Sequence, residues 1–104
     1  MTNPWRGEVS LVIDGERHEA RLTLGALAEL EATLGAATLV ELVQRFEGGA
    51  FSSRDVMALL VAGLRGGGWM VRAEDLVAAE IAGGPVAAAK VAAQVLARAF
   101  AVPE

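Results

Sequence analysis

The chain has 104 residues, 54% of them hydrophobic but only 5% aromatic, with a formal net charge of −4 and no cysteine. That length makes one domain with a single modest core, and the alanine-rich composition favours close helix packing over bulky side chains. It excludes a disulfide framework, a thiol nucleophile and a zinc knuckle. The mixed, slightly acidic charge supplies no basic stripe for nucleic acid, and no apolar run is long enough for a membrane span.

In chain order, Met1-Thr2-Asn3-Pro4-Trp5-Arg6 has no signal-peptide pattern and leads straight into a strand, so a soluble intracellular protein is the expectation. Val9, Leu11 and Ile13 alternate with Glu8, Ser10 and Val12, and Asp14-Gly15 is the pair a two-residue hairpin turn prefers, because both central positions need positive φ. Pairing across that turn sets Val9 opposite Ala20 and Leu11 opposite His18. Val9, Leu11, Ile13, Ala20 and Leu22 then share one apolar face, with Glu8, Arg17, Glu19 and Arg21 on the other. A lone hairpin is marginal in water, so the apolar face, over residues 7–24, must pack on helices or a further strand. Trp5 is expected to lie over the hairpin.

Thr23 caps a helix over residues 24–34, with Leu27, Leu30 and Leu34 on one stripe and Gly35 ending it. Thr38-Leu39-Val40-Glu41 is a capping-box pattern opening a helix over 39–47, with Leu39, Leu42, Val43 and Phe46 inward. Ser52-Ser53-Arg54-Asp55 repeats the pattern and opens a third helix over 53–65, whose stripe is Val56, Leu59, Leu60 and Leu64. Gly66-Gly67-Gly68 then reads as a flexible turn that stops it. A short helix over 73–82 follows, broken by Gly83-Gly84-Pro85, and a last helix over 86–101 whose polar residues Lys90, Gln94 and Arg98 make one narrow stripe. Its broad apolar surface suits either a central helix covered by the others or a face that meets a partner chain. The fold expected is α+β and mostly helical, an N-terminal β-hairpin packed on a bundle of four to five short helices.

The search for chemistry finds none. His18 is the only histidine and has no second ligand at metal spacing, so it is read as a structural strand residue. Ser52 and Ser53 are explained by capping, no Gly-x-Ser-x-Gly elbow exists, and Glu29 and Glu31 point to different sides of a helix. The run Gly63-Leu64-Arg65-Gly66-Gly67-Gly68 lacks the Lys-Ser/Thr of a phosphate loop and ends a helix where such a loop begins one. No catalytic residue, cofactor or metal is expected. The candidates for partner binding are Phe51, Trp69 and Met70, large apolar side chains beside glycine turns that either plug the core or stand exposed as anchors.

The segments Arg6-Gly7-Glu8-Val9, Asp14-Gly15-Glu16-Arg17 and Leu22-Thr23-Leu24-Gly25-Ala26-Leu27-Ala28-Glu29-Leu30-Glu31 together resemble the small tail protein family of gene transfer agents and siphophage-like prophages. Phe46-Glu47-Gly48-Gly49, Phe51-Ser52-Ser53-Arg54-Asp55 and Ala62-Gly63-Leu64-Arg65-Gly66-Gly67-Gly68 continue the resemblance, which is looser beyond Trp69. The family is described both as a tail-assembly chaperone and as a tail tube protein, and is encoded by alphaproteobacterial gene transfer agents. The resemblance implies a non-enzymatic cytoplasmic protein that binds the tape-measure protein, keeps it soluble and helps tail tube subunits polymerise around it, as a homo-oligomer or coat. A permanent tail or neck component, retained in the particle, is the alternative it implies.

Overall fold

The computed structural model describes residues 8–34 and 39–99, without the side chains of Leu34, Leu39 and Val40. The expected roles of Trp5, Gly35 and Thr38, of the Leu34 and Leu39 side chains, and of the last helix beyond residue 99 lie outside the described residues. Two strands, β1 (Val9–Ile13) and β2 (Glu16–Ala20), precede five helices: α1 (Leu24–Leu34), α2 (Leu39–Glu47), α3 (Ser53–Gly66), α4 (Ala73–Val77) and α5 (Gly84–Ala99). The fold is the α+β, mostly helical arrangement that the sequence leads one to expect.

The strands pair antiparallel with Val9 opposite Ala20 and Leu11 opposite His18. Asp14 and Gly15 at the turn both take positive φ, 50° and 82°, which gives the twist that closes a two-residue hairpin. Val9, Leu11, Ile13 and Ala20 are buried, so the alternation puts one face on the core. That face rests on α3 and α5. Arg98, near the end of α5, donates to the Glu8 carbonyl at 2.6 Å and ties the last helix to the first strand.

The free edge of β1 is not left open. Asp14 donates its N–H to the Glu80 carbonyl at 2.8 Å, Ala82 donates to the Val12 carbonyl at 3.0 Å, and Ile13 bridges Ile81. The Asp14 carboxylate accepts the Glu80 N–H at 2.9 Å. This corrects the helix expected over 73–82, since α4 stops at Val77. A helix that short gains little from its own hydrogen bonds, whereas the β1 edge offers unpaired backbone groups that need partners. Asp14→Ala is expected to lower the unfolding free energy by about 1–2 kcal/mol, through a β-carbon at positive φ and a lost acceptor. Asp14→Asn, which tolerates that φ and keeps an acceptor oxygen, should stay close to wild type in the urea midpoint.

Thr23 caps α1, accepting the Ala26 N–H on Oγ1 at 3.1 Å, and Ala26 and Leu30 point into the core. Ser52 caps α3 in a complete capping box: its hydroxyl accepts the Asp55 N–H at 3.1 Å, and the Asp55 carboxylate accepts the Ser52 N–H at 2.9 Å. The helix at the centre is α3, which packs against α1, α4, α5 and β2. α5, which the sequence allowed as a covered central helix, buries one side through Ala88, Ala92, Val95 and Leu96 and leaves Val86, Lys90, Gln94 and Ala97 exposed. It begins at Gly84, with Pro85 in the first turn, where a missing N–H costs no helical hydrogen bond.

The glycines at the end of α3 do different work from the flexible turn expected of them. Gly63 and Gly66 lie within the helix, Gly67 caps it, and together they form a cleft along which the end of β2 runs. Arg21 donates its N–H to the Gly63 carbonyl at 2.8 Å. A β-carbon at Gly63 would lie 3.2 Å from the Ala20 β-carbon, and one at Gly66 or Gly67 would overlap the carbonyl oxygens of Arg21 or Glu19. Gly68, at a φ of 110°, has nothing near its missing β-carbon and serves the turn alone.

Candidate partner-binding surface

The three anchor candidates fall on two separate parts of the molecule. Phe51 stands just before α3 and Trp69 and Met70 just after it, so a helix of 14 residues, roughly 20 Å long, separates them. Phe51 is half-buried and stacks on Phe46, with ring centroids 4.5 Å apart and planes 3° from parallel. Trp69 is half-buried against the core and stacks on His18 at 4.0 Å and 14°. The Trp69 backbone N–H donates to the Leu64 carbonyl at 3.0 Å, which turns the chain back toward the hairpin. Met70, the next residue, is 61% exposed.

His18 therefore serves as a stacking platform at the hairpin edge, and its Nε2 lies 3.8 Å from a Glu16 carboxylate oxygen. Trp69→Ala is expected to cost about 1–2 kcal/mol by removing the stack and part of the burial, while Trp69→Phe should recover most of it. Thermal melts of the two variants read this difference. Among the described residues, no group of three or more His, Asp or Glu side chains converges as a metal site.

A depression of about 630 Å³ lies elsewhere, between α1, α3 and the start of α4. Leu30, Met57, Ala58, Val61 and Val71 line it, and Arg54, Arg65 and Arg72 stand among the lining residues with Glu29. Arg65 grips Glu29 through two hydrogen bonds of 3.3 Å and also donates to the Val71 carbonyl at 3.3 Å. Arg72 pairs with Glu74 at 3.2 Å and Asp75 at 3.6 Å. Arg54 donates to the neutral Thr33 carbonyl at 3.4 Å and makes no ion pair among the described residues. A second groove of about 330 Å³ runs between α3, α4 and α5, lined by Phe51, Val56, Leu60, Leu76 and Pro85 among others. Met57 lines both grooves.

A sequence signal for the larger groove existed. Arg54, Ala58, Val61 and Arg65 are spaced four, three and four apart, so they share one face of α3, distinct from the leucine stripe. Small apolar residues between two cations differ from an ordinary solvated face, which would carry polar residues throughout.

These features define a small α+β domain that carries two apolar grooves on either side of α3. The chain belongs to the family described as phage tail tube protein, GTA-gp10, whose model matches residues 6–102. That match continues through α4 and α5, where the resemblance of the sequence segments was looser. No curated protein and no solved structure matches the chain. Membership assigns a structural or assembly role in a phage-type tail, in a family of structural proteins. No helix among the described residues is long and apolar enough to cross a membrane.

Proposed function

We propose that this chain is a tail-assembly chaperone that binds the tape-measure protein of its particle in the bacterial cytoplasm and hands it to the assembling tube. The observation that carries the reading is the pair of apolar grooves meeting at Met57 on α3, in a protein of a phage tail family. Long helical proteins expose apolar stripes before assembly, and grooves floored by alanine, valine and methionine suit the face of such a helix. Met70 is the most accessible of the anchor residues, with half-buried Trp69 beside it, while half-buried Phe51 lines the second groove at the other end of α3. The tail tube protein is a second partner in this reading, and self-association along the tape-measure protein completes the coat.

The alternative is a permanent tail or neck component, favoured by the family's description as a tail tube protein. Co-expression with the tape-measure protein of the same gene cluster separates the two. The chaperone reading expects a soluble complex, with the tape-measure protein insoluble when expressed alone. No association, together with recovery of this chain from purified particles, would establish the permanent component instead.

A further inference from the structure

We propose that the groove between α1, α3 and α4 receives an amphipathic helix of a partner chain whose apolar stripe is flanked by carboxylates, an inference that rests on the assembly role proposed above. The floor of Met57, Ala58 and Val61 on α3 and Leu30 on α1 is apolar, and its small side chains let a second helix backbone come close. Charge complementarity sets the flanks of the occupant. The chain carries a net charge of −4, yet three of its nine basic residues, Arg54, Arg65 and Arg72, converge on this groove.

Among the described residues, the three carboxylates beside these three guanidinium groups are shared unevenly. Glu29 is held by Arg65, and Glu74 and Asp75 by Arg72, which leaves Arg54 with a neutral carbonyl. Arg54 and Arg65 are eleven residues apart on one helical face, roughly 16 Å along the axis. A helix lying beside α3 that offers acidic residues about three turns apart meets both guanidinium groups while its apolar side chains fill the trough. An incoming carboxylate at Arg65 competes with or joins Glu29, and at Arg54 it meets a guanidinium group that makes no ion pair among the described residues. Arg54 is therefore the stronger determinant of which helix is accepted.

The test uses the full chain and two fluorescent peptides of about five helical turns. They share one leucine stripe and differ only in carrying Glu or Lys beside it. The Glu peptide is expected to bind at least about tenfold more tightly than the Lys peptide. Arg54→Glu should weaken the Glu peptide about tenfold or more and tighten the Lys peptide. Arg54 and Arg72 are both exposed, so both charge reversals should keep the wild-type melting temperature, and Arg72→Glu gives a second readout should Arg54→Glu disturb the fold. Equal binding of the two peptides, or Glu-peptide binding indifferent to both reversals, would overturn the proposal. So would a dimer in sedimentation that Arg54→Glu dissolves, since the occupant would then be a second copy of this chain. A tape-measure protein that co-purifies equally well with Arg54→Glu removes the groove and leaves the chaperone reading standing. An acidic peptide that binds while the tape-measure protein does not removes that reading and leaves the groove.

Discussion

Gly66→Ala is expected to leave the domain unfolded, or so close to its threshold that it melts below growth temperature. The added methyl group would occupy the space of the Arg21 carbonyl oxygen, a backbone atom that cannot rotate aside. Relief requires α3 and β2 to separate, which strains the hydrogen bond from Arg21 to Gly63 and the packing of Ala20, the most completely buried residue of the hairpin. A displacement of that kind costs about 3 kcal/mol or more, a large share of the roughly 5–15 kcal/mol that holds a domain folded. Gly67→Ala meets the Glu19 carbonyl in the same way and should behave alike. Gly68→Ala is the control: its positive φ costs about 1 kcal/mol, but the open space around it asks nothing of the neighbours. Urea denaturation of the three variants would show a steep break between positions 67 and 68. A graded decline would mean that the glycines act through chain flexibility, not through close approach.

Asp55→Ala is expected to be the second most damaging change, at about 2–3 kcal/mol. Asp55 is the one buried charged residue among those described, 3% exposed, and both carboxylate oxygens are engaged. Oδ2 accepts the Ser52 N–H at 2.9 Å, and Oδ1 accepts Arg45 at 3.2 Å. Through Arg45, which also reaches Glu41 at 3.4 Å, the first turn of α3 is clamped to α2. Truncation removes half of the capping box and the clamp together. Ser52→Ala, which removes the hydroxyl half of the box, should cost only about 1 kcal/mol. Arg45→Ala should fall between the two, at about 1–2 kcal/mol, because it leaves Oδ1 of the buried Asp55 carboxylate without its partner. Chemical denaturation of the three variants checks that order, and an Asp55→Ala loss no larger than that of Ser52→Ala would mean that the clamp contributes nothing.

What could be read from the sequence was what neighbouring residues decide. The hairpin register follows from Asp14-Gly15 and the alternation around it, and the start of α3 follows from Ser52 and Asp55, three residues apart. What could not be read depends on residues far along the chain. Residues 78–82 include good helix formers, but the β1 edge claims their backbone. The Gly66-Gly67 pair looks like a helix stop until β2 is seen to run against it. Trp69 and Met70 are adjacent and similar in composition terms, yet one stacks on His18 while the other faces solvent, a division made by a strand fifty residues earlier. The groove lay between these cases: the Arg54–Ala58–Val61–Arg65 face was readable, but the stronger leucine stripe on the same helix hid it.

The closure of the hairpin by distant segments bears on the order of events during synthesis. β1 and β2 lie near the start of the chain, but the backbone that seals the β1 edge is that of Glu80 and Ala82, and the bond that fixes Glu8 comes from Arg98. About sixty residues separate the end of β2 from Glu80. At translation rates of roughly 5–20 residues per second, the ribosome spends some seconds on that interval. During it the strands have a turn but no settled partner, and a newly made hairpin with an apolar face is prone to pair with another nascent chain. A protein built this way completes itself from its last third backward, so stop codons that remove α5 should yield aggregates in place of a shortened domain.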